Sequence, residues 1–177
     1  MIKYLGSKRL LLSTISDVIS EIPNVRSVID LFSGTSRVGH HLKGLGYCVH
    51  SNDLNQYAYA LATCYVAADK EKYEHVEELL KEMSALPSKE GYFTETFCRQ
   101  SMFFQPHNGM RVDAMRDWIE EQDFDWTTKA ILLVSNCAMM SYLVVHSSKG
   151  WIIRNHCRPQ RLLGISSDPT ENLKVRS

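Results

Sequence analysis

The residues that could do chemistry sit close together in the first third of the chain. Asp30-Leu31-Phe32-Ser33-Gly34-Thr35-Ser36-Arg37-Val38-Gly39 reads as a strand that ends in a small-residue turn and opens a helix. Backbone can approach a ligand closely at such a turn. Gly34 supplies permissive dihedrals, Thr35 and Ser36 keep the bend slim, and Gly39 lets the helix pack on the sheet. Asp53 follows nineteen residues beyond Gly34, at the end of the next expected strand. A carboxylate there can accept hydrogen bonds from both hydroxyls of an adenosine ribose. The three-glycine spacing of dinucleotide sites is missing, and Phe32 and Ser36 hold the positions facing the ligand. With no pyrophosphate cradle evident, a nucleoside-containing ligand without phosphates is preferred over a dinucleotide. An ordinary strand-to-helix turn is the plain alternative for the turn taken alone.

The surrounding pattern supplies the elements that must position these residues. Apolar residues at Leu10, Leu11, Ile15, Val18, Ile19 and Ile22 keep the helical period, and Pro23 offers a stop. Residues 25–31 form a short apolar run suited to a buried parallel strand. A helix is expected over 36–45, a second strand over 47–50, and another helix over 55–67. Strand, helix, strand, helix in quick succession implies a parallel sheet with a right-handed crossover. Asp69 is a candidate cap for a helix with an apolar stripe at Val76, Leu79, Leu80 and Met83, ended by Pro87. The aromatic stretch 88–107 reads as loop. Asn108 is a candidate cap for a helix to about Gln122 with Met115, Trp118 and Ile119 inward, and a further helix begins near Thr127. After about Ser135 the apolar period fades and basic residues predominate.

Composition excludes more than it selects. The chain has 177 residues, 44% of them hydrophobic and 23% charged, as expected of one globular domain with a core. Lys plus Arg equals Asp plus Glu at 20 each, so any attraction to nucleic acid must come from a local patch. Five cysteines without a Cys-x-x-Cys pair suit reduced thiols, and no structural metal is expected. No apolar run can cross a bilayer and no signal-peptide pattern opens the chain, so the expectation is a soluble, cytoplasmic protein.

Three motifs in this order carry a resemblance: Lys3-Tyr4-Leu5-Gly6-Ser7-Lys8, then Asp30 to Gly39, then Ser51-Asn52-Asp53-Leu54-Asn55. Together they resemble the Dam-like class of DNA adenine-N6 methyltransferases. The stretch from Gly91 to Phe97, followed by Phe103-Phe104-Gln105-Pro106 and Asn108-Gly109-Met110-Arg111, resembles restriction-modification members of that class. The resemblance covers about residues 2–135. It implies an α/β, Rossmann-like fold whose parallel sheet is flanked by helices and incomplete at the carboxyl side. It also implies S-adenosylmethionine as cofactor, double-stranded DNA as substrate and a cognate restriction endonuclease as partner. In such enzymes Tyr4 and Lys8 border the cofactor, Phe32 and Gly34 shape the turn beneath it, and Asp53 holds the ribose. A sulfonium favours nearby aromatic faces and carboxylates, which Tyr4 and Asp30 can supply. Ser36 departs from the usual F-x-G-x-G pattern, but serine fits the same space.

One expected piece is missing. The adenine amino lone pair is delocalised into the ring, and the family answers with an Asp/Asn-Pro-Pro-aromatic tetrapeptide that accepts hydrogen bonds from the amino group and stacks on the flipped base. The nearest match, Asp168-Pro169-Thr170-Glu171, lacks the second proline and the ring. No catalytic residue is therefore assigned. The division expected is a cofactor-binding region over 1–135 and a divergent or out-of-frame basic tail over 136–177, with a chain truncated in its chemistry. The rival readings are a tail that binds DNA phosphates through Arg154, Arg158 and Arg161, a non-catalytic remnant, and a methyltransferase for another substrate. Arg111 and Arg116 can reach phosphate or guanine from a capped helix, although the interleaved Asp113 and Asp117 suggest a solvated face.

Overall fold

The computed structural model describes residues 8–147, with side chains through Ala138. Tyr4, Arg154, Arg158, Arg161 and Asp168-Pro169-Thr170-Glu171 lie outside the described residues. A 3-10 turn at Lys8–Leu11 leads into α1 (Leu12–Ser20), followed by β1 (Ser27–Asp30), α2 (Arg37–Gly44), β2 (Cys48–Ser51) and α3 (Gln56–Ala62). The axis of α3 continues as a π-helical turn at Thr63–Ala67. After a 3-10 turn at Lys70–Tyr73 come α4 (Val76–Ala85), a second π-helical turn (Thr94–Gln100), α5 (Pro106–Glu121) and α6 (Trp126–Ser147). The helix passes Ser135 without a break.

The expected strand–helix order is present, and β1 and β2 pair in parallel from Ser27↔Cys48 to Asp30↔Ser51. These are all the strands among the described residues, so the Rossmann-like sheet expected from the sequence narrows to two strands in a mostly helical body. Pairing extends past the strands through Asn52 N–H to the Asp30 carbonyl at 2.9 Å and Ser33 N–H to the Asn52 carbonyl at 3.0 Å. The two carboxyl ends are thereby tied together.

Gly39 sets how closely α2 can lie on this sheet. A Cβ there would stand 3.0 Å from Val66 Cγ2, 3.1 Å from Ser51 Oγ and 3.4 Å from Val49 Cγ1. Gly39→Val forces two further methyl groups into that contact, and a loss of about 3 kcal/mol is expected from urea denaturation, with Gly39→Ala milder.

A separate core holds the carboxyl half. Val76, Leu80 and Met83 of α4 pack with Val112, Met115 and Ile119 of α5 and with Ile131 and Leu132 of α6. Each contributes roughly 1.5–3 kcal/mol by leaving water. Four expectations here are corrected. Asp69 does not cap the helix with the apolar stripe: it precedes the 3-10 turn Lys70–Tyr73 without a side-chain cap bond, and its carboxylate pairs with Lys43 and Lys72. Lys43 Nζ also donates to the Val66 and Ala68 carbonyls at 2.8 and 2.7 Å, closing the carboxyl end of the first π turn where a cation is favoured. Asn108 is no cap either: α5 opens at Pro106 after an extended Gln105, and Asn108 is buried within its first turn. The stretch 88–107 is not all loop, because Thr94–Gln100 is helical. Asp113 makes that turn possible. It is buried on α5 and accepts Phe93 N–H at 2.8 Å, Thr94 N–H at 2.8 Å and the Thr94 hydroxyl at 2.6 Å. The reading of Asp113 as part of a solvated face therefore fails.

Asp125 explains where α6 begins: its carboxylate accepts Thr127 N–H at 2.9 Å, Thr128 N–H at 3.2 Å and the Thr128 hydroxyl. Cys48, Cys64, Cys98 and Cys137 form no disulfides. Among the described residues no helix is long and apolar enough to cross a membrane.

Candidate ligand site at the strand ends

Beyond Asp30 the chain turns sharply. Ser36 N–H donates to the Ser33 carbonyl at 2.8 Å, and both Gly34 and Ser36 adopt positive φ, +51° and +55°. Asn52 Nδ2 donates to the Leu31 carbonyl at 3.0 Å, fastening the bend to the loop after β2. Asp53 completes the junction. Its Oδ2 accepts Gly34 N–H at 2.8 Å and its Oδ1 accepts Asn55 N–H at 3.0 Å. These backbone donors, Asn55 first and Gly34 next, hold the carboxyl below the usual carboxylate range.

Gly34 and Asn55 N–H make two short bonds, and Leu54 N–H and the Asn55 side chain contribute weaker ones, so a ligand hydroxyl would share or displace the weaker donors. Among the described residues the approach is open as well: a Cβ on Gly34 would meet none of them within 4 Å, so the position takes glycine for its dihedral. Phe32 and Leu54 are 81% and 100% exposed beside the bend, large apolar surfaces that the flat face of a base can cover. Asp30 Oδ2, Ser33 Oγ and Ser36 Oγ are buried and have no hydrogen-bond partner among the described residues. The strand ends thus carry unpaired polar atoms, two of them hydroxyls that donate as well as accept, which suits a ligand bearing hydroxyls.

Five of the residues singled out in the sequence meet at this junction: Asp30, Phe32, Gly34, Ser36 and Asp53. Lys8 lies exposed in the 3-10 turn, which packs against α2. Arg111 and Arg116 lie elsewhere, on α5, which packs against α4, α6 and the second π turn. Arg111 is half-buried, and Arg116 reaches Glu120 at 3.8 Å. The sequence reading missed Asn52 as the clamp between the loops. Its signal was the Asn-Asp-Leu-Asn run itself, since Asp side chains bond backbone N–H two residues on, as Asp53 does to Asn55.

Ser36 fits the space but not the backbone angle. A left-handed conformation costs a non-glycine residue roughly 1 kcal/mol, and the hydroxyl is buried without a partner among the described residues. Ser36→Gly removes both penalties, and a gain of about 1–2 kcal/mol, or a rise of roughly 2–6 °C in melting temperature, is expected from calorimetry.

Comparison with known proteins gives the family of this chain. A family model for D12 class N6 adenine-specific DNA methyltransferases matches residues 4–149. The chain is 32% identical over 126 residues to the Type II methyltransferase M.NlaIII of Neisseria lactamica, a match covering 67% of this chain and 37% of that protein. It is 29% identical over 127 residues to the Type II methyltransferase M.CviAII of Paramecium bursaria Chlorella virus 1, covering 67% and 38%. It is 30% identical over 132 residues to the modification methylase LlaI of Lactococcus lactis subsp. lactis, covering 67% and 21%. The chain therefore spans well under half the length of these relatives. No solved structure matches it. Because the family match takes in both strands, the bend at Gly34, Asp53 and the helices beyond, the chain belongs to the D12 class of N6 adenine-specific DNA methyltransferases.

Proposed function

We propose that this chain is the S-adenosylmethionine-binding portion of a site-specific adenine-N6 DNA methyltransferase of a restriction-modification system, with double-stranded DNA as its substrate. The observation that carries the reading is the Asp53 carboxylate, fixed by Gly34 N–H at 2.8 Å and still able to accept further hydrogen bonds beside an open bend. In this reading Asp53 holds the ribose hydroxyls and Phe32 covers the base. Gly34 and Ser36 keep the bend slim, and Asp30, with Tyr4 and Lys8 from the amino-terminal segment, borders the methionine end. S-adenosylmethionine bound there supplies a methyl group on a sulfonium, an electrophile able to react with a weakly nucleophilic amine.

The chain's own part is to grip and orient that donor within residues 1–135. No Asp/Asn-Pro-Pro-aromatic tetrapeptide occurs anywhere in the 177 residues, which favours donor binding without transfer by this chain alone. Arg111 and Arg116 remain proposed DNA contacts, a cognate endonuclease the proposed partner and the cytoplasm the proposed location.

Calorimetry with S-adenosylmethionine and transfer of its radiolabelled methyl group to unmethylated duplex DNA test this together. Binding without incorporation is expected. Incorporation into N6-methyladenine would refute the non-catalytic part, and transfer solely to another substrate would refute the DNA assignment.

A further inference from the structure

The candidate ligand site is shared between two loops. Phe32 belongs to the bend between β1 and α2, and Asp53 to the loop between β2 and α3, so no helix or strand holds either residue in place. Two groups on separate loops act together on one ligand only if their separation is fixed, because a displacement of about 1 Å spoils a preorganised contact.

Asn52 spans the gap with all of its polar ends but one. Its N–H donates to the Asp30 carbonyl at 2.9 Å, its carbonyl accepts Ser33 N–H at 3.0 Å, and its Nδ2 donates to the Leu31 carbonyl at 3.0 Å. The two main-chain bonds are open to almost any residue. The Nδ2 bond is the one that the side chain determines, and only the NH2 end of a carboxamide can face a carbonyl, which fixes the orientation of the Asn52 amide. The Leu31 carbonyl and Phe32 N–H belong to one planar peptide unit, so holding that oxygen sets where the Phe32 side chain begins. Asp53 is the next residue along the chain from Asn52, and its Oδ2 accepts Gly34 N–H on the far side of Phe32. The bend is thus pinned to the second loop both before and after Phe32.

From these bonds we propose that Asn52 is a positioning residue: its carboxamide locks the Leu31–Phe32 peptide to the Asp53 loop, so that ring and carboxylate grip a nucleoside as one rigid unit. The identity of the nucleoside rests on the methyltransferase reading, while the clamp rests on the hydrogen bonds alone. Asn52 touches no ligand in this arrangement and acts through its two neighbours.

The clamp is tested first without ligand, by hydrogen exchange on the full chain. The Ser33 and Gly34 amides, both bonded across the gap, should exchange about tenfold faster in Asn52→Ala and regain protection in Asn52→Gln, which returns the NH2 group. The melting temperature should move by less than about 2 °C, because the Nδ2 bond is exposed. Calorimetry with S-adenosylhomocysteine and its 2′-deoxy analogue, on the unaltered chain and Phe32→Ala, then reads the grip. In a rigid grip, removing ring and hydroxyl together should cost about fivefold less than the product of the separate losses. In Asn52→Ala that product should be recovered within about twofold, with affinity for S-adenosylhomocysteine about tenfold lower. Asn52→Gln should bring back both affinity and coupling.

Unchanged exchange of Ser33 and Gly34 in Asn52→Ala would overturn the clamp. A tenfold loss of affinity with the fivefold coupling intact would make Asn52 merely structural and overturn the positioning role. A chain that binds no S-adenosylhomocysteine contradicts the methyltransferase reading, and the exchange rates still decide the clamp. Nucleoside binding with unaltered exchange rates contradicts the clamp alone.

Discussion

Replacing Asp53 by alanine is expected to lower the affinity for S-adenosylmethionine about a hundredfold, because ribose hydroxyls and the Gly34 amide lose the same acceptor. Asp53→Asn should fall between, since one amide oxygen can still accept while the NH2 group faces donors. The pH dependence follows from the backbone donors. Asn55 and Gly34 N–H hold the folded carboxyl below its ordinary value, so the interaction is fully present above the ordinary carboxylate range. It is lost as pH falls through the lowered value. Affinity measured by calorimetry should therefore stay level from pH 8 to about 5 and decline only at more acid pH. A decline beginning near pH 6 would place a histidine, and not Asp53, in control.

Asp113→Ala carries the largest expected effect on stability. Three donors, Phe93 N–H, Thr94 N–H and the Thr94 hydroxyl, lose one buried acceptor at once. A cost of about 3–5 kcal/mol is expected, a large part of the roughly 5–15 kcal/mol that holds a domain folded. The fit around this carboxylate is close: a Cβ on Gly91 would stand 2.8 Å from Asp113 Cγ. Asp117, four residues on, pairs in solvent with Lys89 at 2.6 Å, and Asp117→Ala should barely move the urea transition. Equal losses in the two variants would mean that the buried bonds are not what anchors the second π turn.

The contrast between Asp113 and Asp117 shows what the sequence could and could not disclose. Both fit a charged helical face by spacing, and only the packing of another segment against α5 separates them. Asn108 and Asp69 misled for a related reason: each is a good cap by residue type, but Pro106 opens α5 earlier and Lys43 and Lys72 claim Asp69. Local rules name capable residues; tertiary neighbours decide which are used. The ligand junction was more legible because its parts are local. A strand, a glycine bend and an acid one strand later constrain one another through short loops, and the Gly34–Asp53 bond is the result. Ser36 was legible in size but not in dihedral, which no side-chain volume reveals. The extent of the sheet was not legible, since each strand's pattern tells of burial and not of how many neighbours share it.

In the proposed reading Asp53, fixed at the Gly34 bend, holds the ribose of the methyl donor. A crystal structure of the chain with S-adenosylhomocysteine tests it most directly. Both ribose hydroxyls are expected within about 2.7–3.0 Å of the Asp53 carboxylate oxygens. A nucleoside bound elsewhere, with Asp53 still bonded only to donors of its own chain, would overturn it.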